Sequence, residues 1–317
     1  MLQILLFALP GLLLGYGIYE LVDDSSSDNG DETITGNDQA NNIDGKNGND
    51  LIAGLGGNDN IEGGSGNDTI DGGTGDDVVV GELDNDVIIG GEGDDLLQGG
   101  QGADSVSGDA GEDWVEGDAG NDTLDGGADS DLVFGGRGSD QVSGGEGDDL
   151  LFGGKIAGTP LSLTEMVSLR DGEPLADILN SSTNNAALFR DDNEADTLNG
   201  GTGDDLLIVG AGDTAIGGEG EDMFSLLADQ VGTDALTGDP LFGDPALISD
   251  FTDEDSLVVI TYNATSPVID VTVDGEDALV TANGEFLARV TGAGATLNAS
   301  DISIMPAPRV GDLDPNL

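Results

Sequence analysis

The chain has no cysteine and no histidine among its 317 residues. Without thiols there is neither a disulfide framework nor a thiolate metal site. Without imidazole the commonest general base, the usual nucleophile triads and every His-ligated zinc motif are excluded. Cations are scarce too: 7 Lys and Arg stand against 65 Asp and Glu, a formal charge of −58. That field excludes nucleic acid or polyphosphate as a partner and favours cations. Large side chains are also few, with 8 Phe, 3 Tyr and 1 Trp beside 55 Gly, so a compact two-layer domain has little to fill its core. Gly-x-Ser-x-Gly is absent, and no segment of about 150 residues is left over for a catalytic domain.

So acidic a composition would suit a disordered tail, but the carboxylates are spaced regularly. Counting in nines from Gly45, position one is Gly in every unit as far as Gly144. Position six is Asp50, Asp59, Asp68, Asp77, Asp86, Asp95, Asp104, Asp113, Asp122, Asp131, Asp140 and Asp149. Position eight is always aliphatic, from Ile52 to Leu151. Position four departs from Gly only at Asp84 and Asp129, residues that tolerate positive φ better than most, so a left-handed turn is expected there. Gly30 to Ile34 already keeps this phase. After Gly154 the period breaks, and it returns with Asp196, Asp205 and Asp222 in a shorter, less regular block.

A nine-residue unit of six loop residues and a three-residue strand places position eight on one face and positions seven and nine on the other. Two units then make one turn of a coil, with the aliphatic ladder inside and Gly-rich loops along both edges. Stacked strands lie about 4.8 Å apart, so each position-six Asp sits above the Asp of the next turn. Two carboxylates at that spacing repel by about 0.9 kcal/mol in water and about 3.5 kcal/mol at an effective dielectric of 20. Over a dozen units this exceeds the stability of an ordinary domain. Dissolved salt does not relieve it, because the Debye length of about 8 Å is longer than the spacing. A divalent cation between turns does. Asp oxygens with loop carbonyls form a hard, all-oxygen donor set, which selects Ca²⁺ over Zn²⁺ or Cu²⁺ and, by its flexibility, over Mg²⁺.

The unit Gly-Gly-x-Gly-x-Asp-x-aliphatic-x resembles the repeat of RTX (repeats-in-toxin) proteins, whose nonapeptides form parallel β-rolls that bind Ca²⁺ in the turns. The resemblance covers Gly45 to Phe152 and, less regularly, Ala195 to Phe224. It implies an all-β fold with on the order of ten Ca²⁺ ions, held by the fifteen position-six aspartates named above. It also implies export by type I secretion, with folding delayed until calcium is met outside the cell. Pro245 to Phe251 with Asp253 to Leu257 look like the β cap that closes such regions in secreted bacterial metalloproteases, although the zinc motif of those enzymes is missing.

The remaining segments divide the chain further. Leu2 to Val22 is apolar except for Gln3 and Glu20, long enough as a helix to cross a bilayer of about 30 Å. It reads equally as a membrane anchor or a signal cleaved near Gly15-Tyr16-Gly17, with a buried helix as the third reading, so residues 1–24 are set apart from the roll of 25–154. Residues 155–194 are an insertion, with a capping box at Ser162 to Glu165 that predicts a short helix. Residues 195–225 form the second repeat block, 226–306 a β-rich cap and 307–317 a proline-containing tail.

One outer face also stands out. Position seven of alternate units is Val78, Leu96, Trp114, Leu132 and Leu150, joined at position nine by Val80, Phe134 and Phe152. An apolar stripe of this size marks a contact surface: either the insertion folds back over it, or it serves self-association or docking. The leading functional expectation is a secreted or surface calcium-binding protein with a structural or adhesive role. A non-catalytic or carboxylate-only relative of RTX hydrolases and lyases, and an adhesion or ice-binding scaffold, are the alternatives.

Overall fold

The computed structural model describes residues 20–22, 30–156, 189–190, 194–227, 245–261, 267–293 and 296–306. Among these residues the fold is all-β, with two long sheets of 12 and 13 strands and a two-stranded stem. Successive strands alternate between the sheets, so the chain winds as a parallel solenoid. Each strand pairs with the one a full turn away, as in Trp114↔Leu132 on the first sheet and Ser105↔Thr123 on the second. The eighteen-residue turn expected from two nonapeptides is the observed register.

The interior is a single file of position-eight side chains. Ile52, Ile61, Ile70, Val79, Leu97, Val115 and Val133 are completely or almost completely buried, and Val142, Leu151, Leu198 and Leu207 carry the file across the insertion. Alternation explains it: within a strand only every second residue faces inward, and the unit supplies one aliphatic residue there.

The strands are longer than the three residues expected. Thr69–Thr74 and Leu96–Gln101 each hold six residues, because parallel pairing continues through position three of the following unit. The true loop is therefore positions four to six. It holds the left-handed turn expected at position four, with Asp84 at φ 75° and Asp129 at φ 80° in place of Gly. Position two is left-handed as well, and there the chain tolerates Lys46, Leu55, Glu82, Asp109 and Asp118.

The coil begins earlier and ends later than the regular repeats. Ile34 and Ile43 are in the core file, in phase with the repeats. Glu20–Val22 is a strand paired parallel with Asn41–Asp44, which corrects the expected helix at its last three residues only: pairing with the first coil satisfies the open edge of the sheet. The rest of that apolar segment, and the short helix expected at Ser162 to Leu169, lie outside the described residues. No helix among the described residues is long and apolar enough to cross a membrane.

Beyond the second repeat block, Ala246–Ile248 and Ser256–Thr261 add one strand to each sheet. The parallel order then gives way to an antiparallel set, Ile269–Asp274, Asp277–Ala282 and Glu285–Val290. Arg289 there bridges Asp277 at 2.8 Å and Asp274 at 3.1 Å.

Candidate metal centre

Every one of the fifteen predicted aspartates is buried, none more than 3 % exposed. Each occupies the last loop position before a strand, and the coil stacks them in two files, one along each edge. Within a file the contact is not side chain to side chain. The backbone N–H of each aspartate donates to Oδ1 of the aspartate one turn on, as in Asp50 to Asp68 at 2.8 Å, Asp77 to Asp95 at 2.7 Å and Asp113 to Asp131 at 2.8 Å. The file crosses the insertion without a break, since Asp140 donates to Asp196 and Asp149 to Asp205.

Oδ1 is thus committed to the backbone. Oδ2 is not. In Asp50, Asp68, Asp86, Asp95, Asp104, Asp113, Asp122, Asp131, Asp149 and Asp205 it is buried and accepts no hydrogen bond. A buried anionic oxygen without a donor is expensive, and repetition of the same arrangement turn after turn needs a common cause. The surroundings show what fits. A methyl group placed on Gly63 would lie 2.6 Å from Asp68 Oδ2 and 3.0 Å from the carbonyl oxygen of Gly81, one turn on. At Gly117 the corresponding contacts are 2.5 Å to Asp122 Oδ2 and 2.5 Å to the Gly135 oxygen. Position one must therefore be Gly, so that a carboxylate oxygen and a main-chain oxygen from neighbouring turns can crowd the same spot. No three acidic side chains among the described residues form a metal-binding group. Backbone carbonyls must then complete any coordination, which suits an ion that takes six to eight oxygens in flexible geometry.

The electrostatics agree. Burial raises Asp95 and Asp131 to about 8 and Asp86, Asp113 and Asp122 to about 7, partly offset by the Oδ1 hydrogen bond. Repulsion within the file adds to the rise: Asp95 feels Asp77 and Asp113, and Asp86 feels Asp104 and Asp68. Without a cation these groups hold their charge poorly at neutral pH.

The two files end alike, and differently from their interior. Asp213 extends one of them, taking the Asp196 N–H at 3.1 Å, yet sequence spacing missed it. A turn one residue short precedes it, and no Gly stands five positions before it to mark a unit. Its Oδ2 accepts the Gly210 N–H at 2.7 Å. Asp222 donates to Asp255 Oδ1 at 3.1 Å, while Asp255 Oδ2 takes the Thr252 N–H at 2.6 Å. Asp250 accepts from Gly217 and Gly218 with its two oxygens. At this end main-chain amides occupy the oxygens that face no donor elsewhere.

A second ladder runs beside the first, at position five. The Asn67 N–H donates to Asn49 Oδ1 at 2.8 Å, Asn85 to Asn67 at 2.9 Å and Glu112 to Asp94 at 3.0 Å. It points backward along the coil where the position-six ladder points forward. Its sequence signal, Asn or Asp at most position-five sites, was present beside the stricter Asp of position six.

The stripe of Val78, Leu96, Trp114, Leu132 and Leu150 lies on the outer face of the first sheet, as its period predicts. It is not open along its length: Val78, Leu96 and Trp114 are 0 %, 9 % and 4 % exposed within the single chain, and Leu132 is 37 % exposed. Self-association through that part of the stripe therefore has no support.

Comparison with known proteins gives the same reading of the repeats. No curated protein matches the chain. The family model for the RTX calcium-binding nonapeptide repeat (4 copies) matches residues 26–61, 54–88, 89–124, 125–155 and 190–224, which together are just over half of the chain. With its nonapeptide register, Gly-lined loops and files of donorless Asp oxygens, this chain belongs to the RTX calcium-binding repeat family.

Proposed function

We propose that this is a secreted or cell-surface protein whose roll forms when it meets calcium outside the cell, and that its role is structural or adhesive. The observation that carries the reading is the repeated buried Oδ2 without a donor, in Asp50, Asp68, Asp86, Asp95, Asp104, Asp113, Asp122, Asp131, Asp149 and Asp205. These oxygens, with carbonyls of position-one glycines such as Gly81 and Gly135, are the ligands we assign. Bound calcium supplies positive charge between turns. The chain's own contribution is to fix Oδ1 by backbone hydrogen bonds, so that Oδ2 is presented in the same way at each turn. Folding and metal binding are then one equilibrium, since the unfolded chain has no such sites. Affinity in the range of extracellular modules, about 0.1 to 1 mM, keeps the chain unfolded where calcium is scarce.

Metal analysis of the purified full chain, dialysed against millimolar calcium, tests this reading. It predicts on the order of ten ions per chain, roughly one per pair of stacked loops. Two or fewer would refute it.

A further inference from the structure

The position-five ladder needs only a side-chain oxygen. Asn67 supplies it with a neutral amide and Asp204 with a carboxylate, and the bond is the same: the Asn85 N–H reaches Asn67 at 2.9 Å and the Glu221 N–H reaches Asp204 at 2.8 Å. Yet the two residue types are not mixed along the coil. The edge that carries Asp50, Asp68 and Asp86 holds Asn49, Asn67, Asn85 and Asn121 at position five, with small residues completing the row and no acid after Asp31. The opposite edge, which carries Asp59, Asp77 and Asp95, holds Asp76, Asp94, Glu112, Asp148, Asp204 and Glu221 there. Where Ser130 interrupts that row, Asp129 stands one place earlier.

The neighbouring positions follow the same division. The acidic edge adds Glu92, Glu146 and Glu219 just before its loops and has no Lys or Arg in them. On the asparagine edge Glu82, Asp84, Asp118 and Glu194 are partly offset by Lys46 and Arg137. In a chain of −58, acid gathered along one edge opposes compaction unless positive charge lies beside it. The ladder does not call for it, since the amide serves equally well.

Beside the acidic row lie buried oxygens that accept no hydrogen bond, the Oδ2 atoms of Asp95, Asp113, Asp131, Asp149 and Asp205. The two rows are in electrical contact. Burial is the main cause of the rise in this file, but Asp95 also feels Asp76, Asp113 feels Asp94, and Asp205 feels Asp148. Charge balance then sets the sign of the effect. With one ion per pair of stacked loops, each turn of a file gains two positive charges and offers one position-six carboxylate. A loaded file is left positive by about one charge per turn unless another anion stands near. We propose that the position-five acids supply this second negative charge, so that the acidic edge binds calcium more tightly than the asparagine edge. Charge count is a lever by which all-oxygen calcium sites are graded. Asp94, Glu112, Asp148 and Asp204 are exposed, and they act through the field, well within a Debye length of about 8 Å. The inference rests on the calcium reading above.

Far-UV circular dichroism of the full chain during a calcium titration at low ionic strength tests it. Replacing Asp76, Asp94, Asp148 and Asp204 together by Asn keeps every ladder acceptor. This variant should need several-fold more calcium at its midpoint, and the difference should shrink as salt is raised. The mirror variant, Asn49→Asp with Asn67→Asp, Asn85→Asp and Asn121→Asp, should fold at lower calcium than the native chain. As a control, Asp270→Asn with Glu276→Gln removes exposed charge from the antiparallel set, away from the loops, and should leave the midpoint where it is. Were the position-five acids only part of the general self-repulsion, their removal would ease folding. A midpoint that falls or stays put in the first variant, or one that moves as far per charge in the control, overturns the proposal. Should the first variant lack β signal in saturating calcium, the mirror variant decides, and an unchanged or raised midpoint there overturns it. A native chain whose spectrum calcium never alters refutes the proposed function and this inference with it; a native chain that folds normally, beside variants that do not respond, refutes this inference alone.

Discussion

At Asp95 one carboxylate oxygen takes the Asp77 N–H at 2.7 Å and the other faces no donor. Asparagine at this position keeps the first oxygen and removes the charge, so the two functions separate. Asp95→Asn should leave the ladder intact, lower the calcium count by about one ion and stabilise the metal-free coil. Calorimetry and metal analysis on the same preparation read both effects. The pH dependence follows from the same groups. Asp86, Asp95, Asp113, Asp122 and Asp131 are raised in the fold to between about 7 and 8, against about 3.9 in an unfolded chain. Their contribution to the metal-free fold is complete below about pH 4 and is lost as pH rises through the folded values to about 8. Calcium needs the ionised form, so its affinity should rise over the same window. Circular dichroism in chelator is expected to show β structure gained on acidification from pH 8 to pH 4, while the calcium midpoint moves to higher concentration. Backbone strain offers a separate test. Leu55 sits at φ 80° with its side chain 47 % exposed, so Leu55→Gly should stabilise the coil by about 1 kcal/mol, measured by thermal melting in calcium.

Each loop joins its neighbours through two ladders running in opposite directions, and the weaker has a visible gap. The Ala103 N–H reaches Asn85 Oδ1 at 2.6 Å, but Ala103 offers no acceptor to Asn121 in return. Ala103→Asn supplies one and should raise stability by about 0.5 kcal/mol, read as a higher melting temperature in saturating calcium. The sequence made much of this level legible. Its period fixed the parallel coil, the inward file from Ile52 to Leu151 and the stacking of the position-six aspartates from turn to turn, because each of those depends on a side chain that must be of one type. It showed less where main-chain groups do the work. Strand pairing through Gly72-Gly73 leaves no distinctive residue, which is why the strands came out longer than expected. Left-handed position two is masked by Lys46, Leu55 and Glu82, and Asp213 drops out of frame with the one-residue shortening before it. The partial burial of the Trp114 stripe does not follow the period, since Trp114 is buried and Leu132 at the same position is exposed.

The whole molecule sets a one-residue-wide aliphatic core against a formal charge of −58. So thin a core gains little from apolar burial, and the acidic files work against compaction at neutral pH. Cations resolve that opposition between turns, at sites that chain folding itself creates. The most direct test is far-UV circular dichroism of the full chain at pH 7.5 during a calcium titration, repeated with magnesium. A cooperative gain of β signal with calcium near 0.1 to 1 mM, and none with magnesium, is the predicted result. A spectrum that calcium leaves unchanged, whether already β-rich in chelator or featureless throughout, would contradict the account.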